Sequence, residues 1–264
     1  MRTRRLDNMD LIRLMRADLL KVKNTSYYYI HALVPVVVAT MLVIYYGTKP
    51  NDGVGSAIGF LETISMGFPL IIGVVCSLVI EKEVAAGRFK EMLSSKYGKF
   101  KCLLSKLLVL VSCGFISFYL SVFVFYTGLK YVYKKVIINL GLFMKVSLIV
   151  FAVMIFFYIF HLWLSIKFGV GASVGMGVFE SLFATLLDTG LGEGIWQYIP
   201  CGFASRLVKN YFIINYPSKY TVKLNLRSII SVNNTAVINC VIFTIVVGIF
   251  LAIWFNYFEG RGEV

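Results

Sequence analysis

Six runs of apolar residues, each about as long as a bilayer is thick, constrain this chain more than any other feature. A helix needs about 20 mostly apolar residues to cross the hydrocarbon core, with about 17–25 tolerated. Residues 30–47 (IHALVPVVVATMLVIYYG), 58–80, 103–126, 144–166, 169–191 and 236–258 meet that demand. Lipid offers no hydrogen bonds, so each backbone N–H and C=O must be satisfied within its own segment, which makes such runs helices. The expected fold is an all-α integral membrane protein with six transmembrane helices, forming a single domain over 1–264.

Composition points the same way. The chain is 59% hydrophobic and 15% charged, against about 45–50% and 25% in soluble domains. Its formal net charge of +13 would suggest nucleic acid in a soluble protein. In a chain this apolar, basic residues orient spans and meet anionic headgroups, so membrane lipid is the expected partner and nucleic acid is not. The cysteines (Cys76, Cys102, Cys113, Cys201, Cys240) are odd in number and form no C-x-x-C pair, which reads as small buried hydrophobes rather than disulfides. The N-terminus lacks the uninterrupted apolar core of a cleavable signal, so the first span is expected to direct its own insertion.

Lys and Arg counts set the expected orientation. With both termini cytoplasmic, sixteen of the 26 lie inside, seven of them before the first span and seven between residues 82 and 106. A cluster at Lys130, Lys134 and Lys135 falls outside and weakens the asymmetry. Residues 6–23 place Met9, Ile12, Met15, Leu19 and Leu20 at helical spacing with cations between them. That pattern predicts an amphipathic interface helix within a cytoplasmic segment 1–29, followed by Tyr27–Tyr29 at the headgroup boundary. The 192–235 segment is too apolar for an ordinary loop and too polar to span. It reads as short external or re-entrant helices broken at Pro200 and Gly202.

Chemistry-bearing motifs are sparse. There is no G-x-x-x-x-G-K-[ST] or H-E-x-x-H, and Gly171-x-Ser173-x-Gly175 falls within an expected span helix rather than at the strand-to-helix turn of a nucleophile elbow. His31 and His161 sit in different spans without a neighbouring acid pair in sequence. No catalytic or metal-ligating residue is therefore assigned, and the chain is not read as an enzyme. Glu62 and Glu180 stand out as acids within spans. An ionisable group at that depth is expensive and faces a partner, a cavity or a pathway, so both are candidates for a translocation route or subunit contact. Small residues at 171/175 and 173/177 have the spacing that lets helix backbones approach closely.

The densest charge lies between two of the greasiest spans, in EKEVAAGRFKEMLSSKYGKFKCLLSK (81–106). Phe89, Met92 and Leu93 fall at i, i+3 and i+4, which predicts a short amphipathic helix. Glu81 and Glu83 stand where cations alone would serve topology.

The run Glu83-x-x-x-Gly87-x-Phe89-x-x-x-Leu93-Ser94-Ser95, followed by Lys96, Lys99 and Lys106, resembles permeases of the type-2 ABC exporter class. In size, span number and N-terminal helix the chain is similar to the LanE/LanG permeases of lantibiotic immunity and to related bacteriocin exporters. It departs from many members in having Ser-Lys-Tyr-Gly where they carry Pro-x-x-Arg. The resemblance implies a cytoplasmic coupling helix within 81–102, seated on a separate ABC ATPase. Glu81 and Gly87 belong to that coupling interface, Phe89, Met92 and Leu93 would anchor it, and Glu83, Arg88, Lys90 and Glu91 would form its charged rim. It also implies an ATPase dimer that binds ATP and magnesium, with no cofactor in this chain. A second permease subunit, an antimicrobial-peptide cargo and a bacterial plasma membrane complete the picture. Alternatives from other classes are an ion-coupled carrier or intramembrane enzyme using Glu180, and a non-transporting sensor or scaffold.

Overall fold

A computed structural model describes residues 2–23, 25–50, 52–135, 139–216 and 225–260, the first eight of these by backbone alone. All regular structure among them is helical. In order the helices are α1 (Arg2–Lys21), α2 (Ser26–Thr48), α3 (Gly53–Ala85), α4 (Lys90–Leu93), α5 (Lys99–Thr127), α6 (Leu140–Phe168), α7 (Val170–Leu187), α8 (Pro200–Asn215) and α9 (Leu226–Tyr257). A π-helical turn, Gly128–Val132, prolongs α5. Six helices are long and apolar enough to cross a membrane: α2, α3, α5 with its π turn, α6, α7 and α9.

These match the six apolar runs, but their ends differ for physical reasons. Hydropathy marks where lipid would begin, whereas helices continue until a cap or a turn stops them. Helix α3 has 33 residues, about 50 Å at 1.5 Å per residue. Its start is fixed by Asp52, whose Oδ1 accepts the Gly55 N–H at 2.8 Å. At its other end the helix runs on through Glu81, Lys82 and Glu83. Helix α9 begins ten residues before the apolar run, with Asn225 accepting from Ser228 N–H. Between α6 and α7 stands Gly169 alone, at φ +91°, a conformation glycine adopts without steric penalty.

Helix α3 is the centre of the bundle and packs against α2, α5, α6, α7 and α8. Its most extensive contact is with α7. A Cβ on Gly73 would lie 2.7 Å from the Ser173 carbonyl oxygen, and one on Gly177 would lie 2.9 Å from Leu70 Cα. The two sequence pairs of small residues therefore separate by face: Ser173 and Gly177 lock α7 onto α3, while Gly171 and Gly175 meet nothing within 4 Å. Pro69 interrupts the hydrogen-bond ladder of α3 beside this joint, and Ser181 Oγ accepts the adjacent Leu70 N–H at 3.3 Å.

The region after α7 folds as two 3₁₀ turns (Gly190–Gly192 and Trp196–Tyr198) and then α8. Pro200 occupies the first turn of α8, where its missing N–H is no loss. Gly202 forms no break. It lies inside α8, where a Cβ would come within 3.2 Å of Leu187 and Trp196. Phe203, Leu207, Val208 and Phe212 bury one face of α8 against α3, α6, α7 and α9. The rest of the 192–235 segment includes residues 217–224, outside the described residues.

Candidate functional site

The charged insert is built differently from a single short helix. Its first residues, 81–85, are the end of α3, and the chain then reverses through Gly87, Arg88 and Phe89, with φ of +124°, +50° and +69°. Only glycine takes such angles freely. For an L-residue the left-handed region costs about 1–2 kcal/mol. Phe89 is held there by burial, being 1% exposed, with its ring edge-on to Phe258 at 5.5 Å. One helical turn, α4, follows and buries Met92.

Beneath this turn lies a buried ionic network. Lys106 Nζ donates to Asp18 Oδ1 at 2.7 Å and to Glu83 Oε1 at 2.7 Å. Ser105 Oγ donates to Asp18 Oδ2 at 2.5 Å. Lys21 Nζ bridges Glu83 Oε1 at 3.0 Å and Glu91 Oε2 at 2.5 Å. Glu83 and Lys106 are each 2% exposed, so neither charge is tolerable without the other. Burial alone would lower the pKa of Lys21. Hydrogen bonds that Lys21 donates to Glu91 and Glu83, with the negative charges of those groups, outweigh that and raise it above the usual lysine value.

The far side of the insert is tied to the end of α9. Lys99 Nζ donates to the carbonyls of Asn256 at 3.1 Å and Phe258 at 2.8 Å, where a cation complements the exposed carbonyl ends of a helix. Helices α1, α3, α5 and α9 thus clasp the turn that includes α4.

This arrangement alters which atoms the segment can offer outward. Phe89 and Met92, expected as an outward anchor, are buried within the chain, and Leu93 is half-buried. Glu83, expected on the rim, is inside the network. Glu81, Lys82, Arg88, Lys90 and Glu91 are exposed, with Gly87 half-buried. The physical reason is economy of apolar surface: Phe258 and the start of α5 lie close enough to cover the face that a partner would otherwise cover. Asp18 and Lys21 carried no site assignment in the sequence, and Lys99 entered only as part of the basic stretch of the resemblance. The signal available was the acid Glu83 beside an apolar run, which demanded a buried cation.

A second polar chain lies between α3, α6 and α7. His161 Nε2 is 2.7 Å from Glu180 Oε2, and His161 Nδ1 is 3.0 Å from Ser173 Oγ. Ser173 in turn donates to the Gly73 carbonyl at 3.0 Å. A carbonyl only accepts, so Ser173 gives its single hydroxyl proton to Gly73 and accepts from Nδ1–H. The contact between Nε2 and Oε2 then holds one proton, and the pair is neutral whichever atom carries it. His161 is fully buried and Glu180 is 4% exposed. The histidine that lacks an acid neighbour in sequence has one in space, because the turn at Gly169 folds α7 back on α6.

Glu62 is elsewhere. It is half-buried near the start of α3, and its charged neighbours are Asp188, Lys209 and Arg206. Arg206, 7% exposed, fastens the end of α7 by donating to Leu187 O at 2.9 Å, Thr189 O at 2.5 Å and Glu193 Oε1 at 2.7 Å. Among the lysines expected outside, Lys135 donates to the carbonyls of Tyr46 at 2.7 Å and Lys49 at 2.6 Å. That is a capping role at the end of α2, independent of topology.

No family model, no curated protein and no solved structure matches this chain.

Proposed function

We propose that this chain is the permease subunit of an ATP-driven ABC exporter in a bacterial plasma membrane, with both termini cytoplasmic. It would act with an ATPase dimer and a second permease copy or paralogue, and expel an amphiphilic antimicrobial peptide from the membrane. The observation that carries the reading is the clasped insert between α3 and α5. Four helices hold one turn of chain rigidly, and what it turns outward is charged. A lever that transmits force from a nucleotide-hydrolysing partner needs that rigidity, and a polar outer face suits a contact that forms and re-forms in water. Glu81, Lys82 and Lys90 are the residues placed to make it. In this reading α1 lies along the cytoplasmic interface and α8 with its preceding turns lies at the outer face. Glu62 and Glu180 are assigned to the outer end of the route and to a helix joint, respectively.

The test is affinity purification of the tagged chain from crosslinked native membranes, followed by peptide mass spectrometry. A polypeptide carrying a phosphate-binding loop should be enriched, and Glu81→Lys with Lys90→Glu should reduce its recovery at least tenfold. Failure to enrich any such ATPase rejects the assignment. Loss of lantibiotic resistance in the same double variant would support the cargo.

The His161–Glu180 pair favours a second reading, an ion-coupled carrier, because a proton shared inside apolar helices is a coupling element in principle. Proton uptake by liposomes holding the purified chain alone, abolished by Glu180→Gln, would select it.

A further inference from the structure

A groove of about 250 Å³ opens between α2, α3 and α5. Ile30, Val34 and Val38 form one wall, Phe68 and Ile71 the floor, and Phe118 the other wall. The few hydroxyls present are already engaged with backbone carbonyls. Thr63 donates to Gly59 O at 2.7 Å, Ser117 to His31 O at 2.8 Å and Ser121 to Phe118 O at 2.7 Å. His31 uses Nδ1 on Tyr27 O at 2.9 Å. An occupant therefore finds apolar surface and no free donor among these groups. A peptide would bring backbone N–H and C=O groups that go largely unpaired, which is costly away from water. A hydrocarbon chain brings none.

Size and position narrow the occupant further. Pockets for drug-sized ligands run to about 300–1,000 Å³, so this one suits a single narrow chain. Residues 30–38 of α2 rise about 12 Å at 1.5 Å each, close to the depth of one leaflet, about half of a 30 Å core. The mouth is continuous with the bare apolar face of α2 at Leu33, Val37 and Met41, all more than one-third exposed. At the end nearest α1 the elbow between α1 and α2 exposes Lys23, Tyr28 and Tyr29, and Arg16 is exposed within the last two turns of α1. Cations and tyrosines there fit an anionic headgroup.

We propose that this groove binds one acyl chain of an anionic phospholipid from the leaflet that meets α1, with the headgroup at the α1–α2 elbow. The site goes beyond the permease reading and does not depend on it.

Gly67 supplies the means of testing it. It lines the groove, and a Cβ built there meets no atom within 4 Å. The same space surrounds Gly171 on α7, which is not part of the groove. The full chain is purified in mild detergent, supplied with phosphatidylglycerol and examined by native mass spectrometry at rising activation, each variant first matched to wild type by circular dichroism. Wild type should retain one phosphatidylglycerol per chain. Gly67→Phe, or Val38→Trp from the facing wall, should reduce retention at least tenfold, and Gly171→Phe should leave it unchanged. Absence of retained lipid in wild type, or equal retention in both filled variants, overturns the site. So does equal loss in the Gly171 variant, or a retained mass belonging to peptide or detergent. Equal retention of competing phosphatidylcholine overturns the headgroup contact.

Discussion

Lys106 Nζ and Glu83 Oε1 lie 2.7 Å apart with both residues 2% exposed, so the end of α3 and the start of α5 are joined by a charge pair shielded from water. Asp18 from α1 shares the same ammonium. Removing the lysine leaves two carboxylates buried, one of them held only by Lys21 and the other by Ser105. Lys106→Met should destabilise the chain by about 3–5 kcal/mol, the usual consequence of breaking a buried pair from one side. Adding Glu83→Gln and Asp18→Asn should recover much of that loss, since the remaining groups are then neutral. Thermal unfolding in detergent, followed by tryptophan fluorescence, reads both outcomes.

The shared proton between His161 and Glu180 leads to a different pattern. Glu180→Gln keeps a donor for Nε2 and should change stability by less than about 1 kcal/mol. Glu180→Ala and His161→Phe each leave a buried polar partner unmatched and should lose about 1–3 kcal/mol. Equal losses for Gln and Ala would show that the pair carries an ionic charge separation that the amide cannot replace. Unfolding midpoints of the three variants decide it.

Backbone contact between α3 and α7 separates glycines that look alike in sequence. Gly73→Ala and Gly177→Ala force a Cβ against backbone atoms at 2.7 and 2.9 Å and should cost about 1–3 kcal/mol as overpacking. Gly175→Ala meets open space and should be neutral or slightly stabilising. Fluorescence-detected size exclusion after graded heating ranks them.

Alkaline pH probes the outer part of the ionic network. The Lys21 pKa is raised in the folded chain, so its contribution is complete below the ordinary value of 10.5 and is lost as pH rises through the higher folded value. Its side chain is 32% exposed, so solvent screening keeps the effect below about 1 kcal/mol. Wild type should lose its stability advantage over Lys21→Met only above pH 10.5. A difference that vanishes between pH 7 and 9 contradicts this.

How far the sequence could be read depended on the range of the interaction involved. The six spans were visible because solvent selects for length and hydropathy along a single helix, with no reference to neighbours. Helix α7 also showed its small residues at 171/175 and 173/177, but spacing carries no information about which side faces α3. The 81–106 insert displayed an apolar face at Phe89 and Met92, yet its covering group, Phe258, is more than 160 residues away in the chain. His161 and Glu180 were each visible as polar groups in apolar helices. Their pairing depended on the single-residue turn at Gly169, which sets the two helices antiparallel and in register. Asp18 and Lys21 were unremarkable members of a charged helix until α1 docked beside Glu83.

The Lys99 clamp on the carbonyls of Asn256 and Phe258 has a consequence for biosynthesis. Helix α9 emerges from the ribosome after every other described helix, and until it does, Phe89 lacks its aromatic cover and Lys99 its acceptors. A nascent chain therefore holds the insert without these two contacts. The packing of the insert is therefore completed only when the last of the described helices has docked.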